Sequence, residues 1–223
     1  MTRRRALQWA GSLGLAAAVS ACTRDDGSAA ETVATAPTAA PDCVLMPELT
    51  EGPYYLDLDL VRSDITEGRP GLPLDLRVNV VDADACEPLE GAAVDIWHCD
   101  AEGAYSGVQG AEGETFCRGV QLTDAGGLAE FRTVFPGWYT GRAVHIHVKV
   151  GDARDQTHTG QLFFDPAVTS EVYAMEPYAA RGGADTPNES DSIYGESGGV
   201  TVVAVTVDGE SASGAVTLGI DRA

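Results

Sequence analysis

Basic residues are scarce in this 223-residue sequence, which has 14 Lys and Arg against 34 Asp and Glu and a formal net charge of −20. A surface of that sign repels phosphate, so the composition excludes nucleic acid as an electrostatic partner and disfavours anionic membrane surfaces. Hydrophobic residues make up 44% of the chain, which is enough for one sizeable domain with short appendages.

Long apolar runs are also missing from the sequence. The stretch Ala6–Val19 is too short to cross a bilayer, which takes about 20 apolar residues. It follows a basic Arg3–Arg5 segment, which partly resembles a twin-arginine export signal, and it ends at Cys22 in a Val-Ser-Ala-Cys motif that resembles a lipobox. We therefore expect residues 1–21 to be a lipoprotein signal peptide and Cys22 to anchor an exported protein at the cell surface or in the periplasm. The alternative is an ordinary secretory signal with a chance cysteine.

Residues 22–42 are rich in Ala, Thr, Pro and Asp without an apolar period, which predicts a flexible linker before a domain at 43–223. An even set of cysteines in an exported domain predicts up to two disulfides with three possible pairings. A Cys99–Cys117 bond is preferred because it would close the segment that contains Tyr105. The four cysteines of this domain are Cys43, Cys86, Cys99 and Cys117.

Short alternating segments separated by turn signals dominate the domain, and no strand–helix–strand rhythm is visible. This pattern predicts an all-β fold, an antiparallel β-sandwich with long active-site loops and at most one short helix. The helix is predicted within Ala167–Ala180 and a surface loop at 181–199. Seven strands are predicted, at Leu76–Asp82, Ala92–His98, Ala129–Val134, Ala143–Val150, Gly160–Phe164, Val200–Val207 and Ala215–Ile220.

Histidine is rare as well: the chain has four, and two of them, His145 and His147, fall in one triplet. Alternation from Ala143 onwards places both imidazoles on one face of a strand, while Val144 and Ile146 face the core. Two imidazoles at i and i+2 lie about 7 Å apart at Cα and can converge on one metal. The alternative is a pair of half-buried strand residues without a ligand.

The neighbouring residue types narrow the choice of metal. No further Cys or His at regular spacing accompanies the pair, which disfavours structural zinc, and no Glu follows His147 as in a cupin. A catalytic zinc site would need His98 or His158 as its third ligand. Tyrosine is the informative partner, because a phenolate is a hard anionic ligand that suits ferric iron and a bound metal depresses its pKa.

Three separated motifs carry a more specific signal. They are TEGPYY at 50–55, VDIWHCDAEGAYS at 94–106 and PGWYTGRAVHIH at 136–147. Together and in this order they resemble the intradiol ring-cleavage dioxygenases, most of all their exported, single-chain branch, over about residues 43–165. Better-known members carry a longer insertion before the active-site Arg, whereas Tyr139 and Arg142 are almost adjacent here, as in the exported branch.

The resemblance implies a site with one Fe(3+) per chain. Its metal ligands would be Tyr105, Tyr139, His145 and His147. On substrate binding Tyr139 would leave the metal and act as a base, while Arg142 and Gln161 would stabilise anionic intermediates. Tyr54 would lie over the substrate pocket and, with Arg142, contact the substrate.

The same resemblance implies a non-haem Fe(III) dioxygenase that cleaves catechol-type rings with O2 to cis,cis-muconate-type products. Its partners would be a small aromatic diol and O2, with the membrane reached through the lipid anchor alone and a homo-oligomer as a further expectation. The residues leave two alternatives: a non-catalytic extracellular β-sandwich binding module and a zinc hydrolase that uses the His-x-His pair. His98 and Trp97 are expected to be structural, and the acidic loop 185–196 a solvated surface.

Overall fold

Eight β-strands form the framework of the computed structural model, which describes residues 43–108, 110–151 and 157–221. The expectation of an all-β fold is confirmed. The strands are β1 (Pro73–Asp82), β2 (Ala93–Trp97), β3 (Arg118–Leu122), β4 (Leu128–Val134), β5 (His145–Gly151), β6 (Thr157–Phe164), β7 (Val202–Val207) and β8 (Ala212–Ile220). β3 was not among the predicted strands, because its five residues show no clean alternation.

The eight strands form one sheet in the order β3-β2-β5-β6-β7-β8-β1-β4. We call β3-β2-β5-β6 the β2–β5 half-sheet and β7-β8-β1-β4 the β1–β8 half-sheet. In the part of the chain that the structure describes, the two half-sheets are joined by two residue pairs between β6 and β7. The expected antiparallel pairing holds for five of the seven strand pairs, whereas β1 runs parallel to β8 and β6 parallel to β7. Residues 165–201 lead the chain from the end of β6 back to the start of β7, so that β7 runs in the same direction as β6.

One hydrophobic core lies against both half-sheets. In β1, Leu74, Leu76, Val78 and Val80 are fully buried and alternate with exposed residues. In β5, Ile146, Val148 and Val150 join the same cluster, so the strand face predicted to pack inwards does so. Burying each such side chain stabilises the fold by roughly 1.5–3 kcal/mol. The opposite face of β5, with His145 and His147, lies outside this core.

A short segment at residues 60–65 pairs with both outermost strands of the sheet. On β3, Val120 donates its N–H to Leu60 O (2.8 Å) and accepts one from Arg62 N (3.1 Å). On β4, Arg132 donates to Ser63 O (2.8 Å) and accepts from Ile65 N (2.9 Å). The backbone groups that an edge strand would leave open are therefore used within the chain.

The described residues contain two short α-helices, so the expectation of at most one is wrong. α1 (Pro166–Val172) is capped by Asp165 and is shorter than predicted. Pro177 lacks an N–H and cannot continue a helix, and only a 3-10 turn follows at Tyr178–Ala180. The predicted loop 181–199 contains a second 3-10 turn, Asn188–Ser190, and α2 (Ser192–Ser197).

The disulfide of the structure joins Cys43 to Cys86. The preferred Cys99–Cys117 pairing is wrong, since both of these cysteines are buried and free. The strand register explains this. The N–H of His98 bonds to Cys117 O (3.1 Å), so His98 lies opposite Cys117 and Cys99 is one residue out of register with it. The Cys99 thiol instead donates to Gly137 O at 3.4 Å.

The predicted signal peptide (1–21), the lipidated Cys22 and the linker (22–42) lie outside the described residues. Within the described ranges, no helix combines the length and apolar character that a membrane crossing requires.

Candidate metal centre

The candidate ligands lie on the face of the β2–β5 half-sheet that points away from the core. Antiparallel register places Trp97 of β2 and Gln161 of β6 on either side of His147. Alternation puts His145 on the same face of β5, two residues earlier. All four side chains are buried, because loops cover this face of the sheet.

The two imidazoles and one phenol converge on a common point. His145 Nε2 lies 3.1 Å from His147 Nε2 and 3.2 Å from the Tyr139 hydroxyl. The other ring nitrogen of His145, Nδ1, is 2.6 Å from Ala143 O. A carbonyl only accepts hydrogen bonds, so Nδ1 carries the proton and the Nε2 lone pair points into the site.

Tyr105 reaches the site from the turn after β2. Asp100 shapes that turn, since its carboxylate accepts hydrogen bonds from the backbone N–H groups of Glu102 (3.0 Å) and Ala104 (2.9 Å). The Tyr105 ring lies 5.7 Å from that of Tyr139 and 6.2 Å from that of His147. Its buried hydroxyl makes no hydrogen bond within the described residues, which is costly for a polar atom in this position.

Burial sets the protonation states of these groups. It lowers the pKa of His145 to about 3, assisted by the Arg142 charge, and holds the pKa of His147 well below its usual value. Both imidazoles are therefore neutral at pH 7, as metal ligands must be. Burial also raises the pKa of Tyr105 and of Tyr139. A cation at the centre would reverse this shift and favour the phenolates.

The donor set fits a metal ion with nitrogen and oxygen ligands. Donors bound at about 2.1 Å to one ion and at right angles lie about 3.0 Å apart, close to the spacings around His145 Nε2. The unpartnered Tyr105 hydroxyl adds an oxygen that needs a partner. In the described ranges, no group of three or more His, Cys, Asp or Glu could hold a metal, and the candidate centre is therefore the two histidines taken together with the tyrosines.

Arg142 borders the candidate ligands and is held from two sides. Its Nε donates to Asp191 Oδ2 at 2.8 Å, and its Nη2 donates to Gln161 Oε1. Its Nη1 lies 3.5 Å from the Tyr139 hydroxyl and 3.4 Å from His145 Nε2. The guanidinium therefore places a fixed positive charge beside both groups.

Asp191 is the site residue that the sequence analysis missed. It lies in the acidic stretch expected to be a solvated surface, but the structure buries it against Arg142. Its side chain also accepts from the N–H groups of Ile193 and Tyr194 and so caps α2. An Asp just before a short apolar segment is a recognisable cap signal. That signal does not identify Arg142 as its partner.

The TEGPYY segment covers the site, as the resemblance implied for Tyr54. The half-buried Tyr54 ring lies 4.7 Å from Tyr105 and 6.3 Å from Tyr139. Gly52 has a φ of +74°, and a Cβ there would come within 3.1 Å of His147 Cε1. Only glycine combines this backbone conformation with so close an approach to the imidazole.

Trp97 belongs to the site rather than to the main core. Its ring stacks on His147 with centroids 4.9 Å apart and planes 5° from parallel. Tyr55 packs on Trp97 at 4.8 Å, and Lys149 Nζ lies 3.8 Å above the Tyr55 ring. These contacts fix the orientation of the His147 imidazole.

Neither remaining histidine completes a zinc site with the pair. Both ring nitrogens of His98 are used, at 2.8 Å from Cys99 O and 2.8 Å from Thr133 Oγ1, so this residue is structural as expected. His158 contacts Glu48 and Asp221 O. The zinc alternative is therefore not favoured.

Comparisons with known proteins identify the family of the chain. A protein-family model described as "Dioxygenase" matches residues 47–174. An intradiol ring-cleavage dioxygenase structure from Tetranychus urticae has 34% identity and a TM-score of 0.76, over 80% of this chain and 95% of its own. The dioxygenase domain of a carbohydrate-binding fusion protein from Streptomyces sp. SirexAA-E has 30% identity and a TM-score of 0.64, over 80% and 99%.

Curated relatives match a shorter part of the chain. Catechol 1,2-dioxygenase 1 of Acinetobacter lwoffii is 34% identical over 149 residues, which are 55% of this chain and 48% of the relative. Chlorocatechol 1,2-dioxygenase of Pseudomonas putida is 29% identical over 140 residues, or 52% of each. The chain thus spans about half the length of the curated relatives that it matches.

Proposed function

The chain belongs to the intradiol ring-cleavage dioxygenase family, and from this premise we propose that it cleaves catechol-type rings with O2 by means of Fe(3+). The products would be cis,cis-muconate-type acids. The proposed ligands are Tyr105, Tyr139, His145 and His147. The observation that carries the proposal is the convergence of two neutral imidazoles and the Tyr139 phenol, with His145 Nε2 3.1 and 3.2 Å from its neighbours, beside the buried Tyr105 ring.

A ferric ion held by these residues would supply a Lewis acid that favours the ionised diol and makes its ring reactive towards O2. Two tyrosinates suit this role, since their charges offset much of that of Fe(3+). The residues of the chain then have to deprotonate the diol, orient it and neutralise the charges that develop.

Tyr139 is the proposed base for one of the two hydroxyl protons of the diol. Its oxygen lies 3.2 Å from His145 Nε2 and 3.5 Å from Arg142 Nη1. The Tyr139 ring is only half-buried, which suits a ligand that would have to make room for a substrate oxygen. The buried Tyr105, fixed by its turn, is the ligand proposed to stay in place.

Arg142 and Gln161 are proposed to stabilise anionic charge on the substrate. The Gln161 carboxamide is fixed at both ends, because its oxygen accepts from Arg142 and its nitrogen donates to Thr50 O at 3.0 Å. Groups held in this way need little reorganisation when charge develops, which is the source of electrostatic catalysis. Tyr54 and Arg142 would contact the diol from the covering side.

The names of the relatives, which include catechol and chlorocatechol 1,2-dioxygenases, support a catechol-type substrate. A direct test is the visible spectrum of the purified protein, followed by O2 uptake and muconate detection with catechol, 4-chlorocatechol, hydroxyquinol and protocatechuate. Fe(3+)–tyrosinate is expected to give a burgundy charge-transfer band. A colourless protein without O2 uptake would favour the binding-module alternative, and stoichiometric zinc would favour the hydrolase.

We also propose that the chain is exported and anchored through Cys22. Support comes from the basic start, the short apolar stretch and the small residues before this cysteine. Cells fed an alkyne-labelled fatty acid are expected to label the wild-type protein but not Cys22→Ser. Equal labelling of the two proteins would refute the anchor.

A further inference from the structure

The buried Asp191 carboxylate accepts four hydrogen bonds, two on each oxygen. Oδ2 accepts from Arg142 Nε at 2.8 Å and from the Ala143 N–H at 2.8 Å. Oδ1 accepts from the Ile193 and Tyr194 N–H groups at 2.8 and 3.3 Å. One side chain thus connects the first turn of α2 with the residues that lead into β5.

We propose that Asp191 is a positioning residue for the dioxygenase centre, acting through Arg142 and through the backbone at Ala143. This inference rests on the proposed function only for its kinetic consequences. Arg142 borders Tyr139 and His145, while Ala143 O accepts a hydrogen bond from Nδ1 of His145. Both groups held by the Asp191 carboxylate therefore orient a candidate ligand.

Asp191 is the charged partner that fixes the direction of the Arg142 side chain. In the metal-free chain, the other groups at the guanidinium, Gln161, Tyr139 and His145, are neutral. The Arg142 side chain is 17% exposed and that of Asp191 only 1%, so water competes little for the carboxylate. Charge-assisted bonds of this kind are stronger than neutral ones and fix geometry as well.

A carboxylate is required here because all four partners are donors. Asparagine offers one acceptor oxygen, and its NH2 group would face either the Arg142–Ala143 pair or the α2 amides. Burial alone would raise the pKa of Asp191, but the hydrogen bonds from Ala143 and Arg142 outweigh it and hold the pKa below its usual value. The group is therefore an anion at neutral pH.

The segment that carries Asp191 is attached to the sheet independently. Asn188 is buried, and its side-chain amide donates to Phe164 O at the end of β6, at 2.9 Å. The Asp191 N–H closes the 3-10 turn by donating to Asn188 O at 3.1 Å. Asp191 therefore approaches Arg142 from a fixed base.

The main test compares Asp191→Asn with Asp165→Asn in the iron-loaded protein. Asp165 caps α1 through one side-chain bond from Ala167 N (2.7 Å) and is exposed, so this matched control makes the same carboxylate-to-amide change at a helix cap without touching Arg142. We expect Asp191→Asn to keep its iron but to lose about a hundredfold in kcat/KM, mostly in kcat, with a shifted visible band. Asp165→Asn should retain wild-type kinetics and spectrum. Asp191→Glu, which keeps the charge, should recover part of the loss.

A second measurement uses the wild-type chain without iron and does not depend on activity. The Arg142 Nε–H resonance should exchange with solvent at least about tenfold more slowly than that of Arg77, whose side chain is 57% exposed. Equal exchange rates would overturn the proposal, even if the Asp191 variants do not fold.

The two measurements separate the two proposals. Wild-type kinetics and spectrum in a folded Asp191→Asn protein would overturn the positioning role and leave the dioxygenase intact. A wild-type protein inactive on every diol would overturn the proposed function. In that case, slow Arg142 exchange would still support the positioning contact.

Discussion

The two half-sheets use the same alternation of side chains but differ on their outer faces. On the β1–β8 half-sheet, the outer face carries exposed charges, with Arg77 3.5 Å from Glu130 and Arg132 3.5 Å from Asp75. On the β2–β5 half-sheet, the corresponding face carries buried aromatic, imidazole and amide groups around the candidate ligands, and the charged residues Asp95 and Lys149 of this face are partly buried. Solvated ion pairs of the first kind contribute little to stability, whereas buried polar groups without partners are costly.

The comparison shows that covering segments, and not strand pattern alone, turn a sheet face into a site. On the β2–β5 side, Leu49 N–H bonds to Thr159 O (2.8 Å) and Gln161 bonds to Thr50 O (3.0 Å), which holds the N-terminal segment over the ligands. Exclusion of water then lowers the pKa of both histidines. Substitutions on the two faces should therefore have very different effects.

The largest effect is expected from His147→Ala on the covered face. Loss of a hydrogen-bond partner of a metal ligand typically reduces metal affinity by about 10–100-fold. Loss of the ligand itself should reduce iron affinity by more than that. Iron analysis and the visible band of the purified variant would measure this. His158→Ala, which alters a histidine at the other end of the β5–β6 pair, is the control and should keep its iron. Full iron content in His147→Ala would disprove this ligand assignment.

Tyr139→Phe should act on turnover more than on iron binding. Three candidate ligands remain, so we expect iron to be retained, the visible band to move, and kcat/KM to fall by about a hundredfold because a base is lost. Absorbance and O2-uptake kinetics measure the two effects separately. An unchanged spectrum together with unchanged turnover would remove Tyr139 from the site.

Asp95, on the covered side, should make the stability of the fold depend on pH. Burial raises the pKa of Asp95 to about 6, despite a hydrogen bond from Tyr55. The unfolded pKa is about 3.9, so the folded chain binds the proton more tightly and stability falls as pH rises between these values. The difference in free energy of unfolding between Asp95→Asn and wild type should therefore be about 1–2 kcal/mol more favourable to the variant at pH 7.5 than at pH 4.5. The measurement is urea unfolding at both pH values.

A matched control for Asp95→Asn lies on the exposed face. Asp75→Asn should change the free energy of unfolding by less than about 0.5 kcal/mol at each pH. An equal pH dependence in the two variants would mean that burial is not the cause.

The smallest effect is expected on the exposed face from Arg77→Ala. Its partner Glu130 is 63% exposed, so breaking the pair should cost less than about 0.5 kcal/mol and leave iron content unchanged. Thermal unfolding with iron analysis would check both expectations. A change in iron binding would mean that the two faces are coupled through the core.

Local patterns were sufficient for the parts of the fold and site that depend on nearby residues. The alternation after Ala143 predicted which face of β5 carries the histidines, because side-chain direction in a strand has period two. Contacts between distant segments were not readable in this way. The parallel β1–β8 pairing, the Cys43–Cys86 disulfide and the Arg142–Asp191 pair each join residues more than 40 positions apart.

Short elements were missed for a related reason. β3 has five residues without a clean alternation, and α2 has six that include Gly195, so neither is long enough to show a clear repeat of its own. Both are stabilised by partners elsewhere, β3 by β2 and α2 by the Asp191 cap. Tyr105 and Tyr139 could be singled out only through the motif resemblance, because nothing in a turn's sequence shows where a phenol points.

The segment at residues 60–65 also bears on how the protein behaves in a crowded solution. Open strand edges recruit further strands, and this is a common route to fibrils and swapped dimers. Here the middle of β3 and of β4 is paired with one short piece of the same chain, through Val120 and Arg132. Detachment of that piece would open both edges at once, so we expect these six residues to help to keep the chain from aggregating although they carry no chemistry of their own.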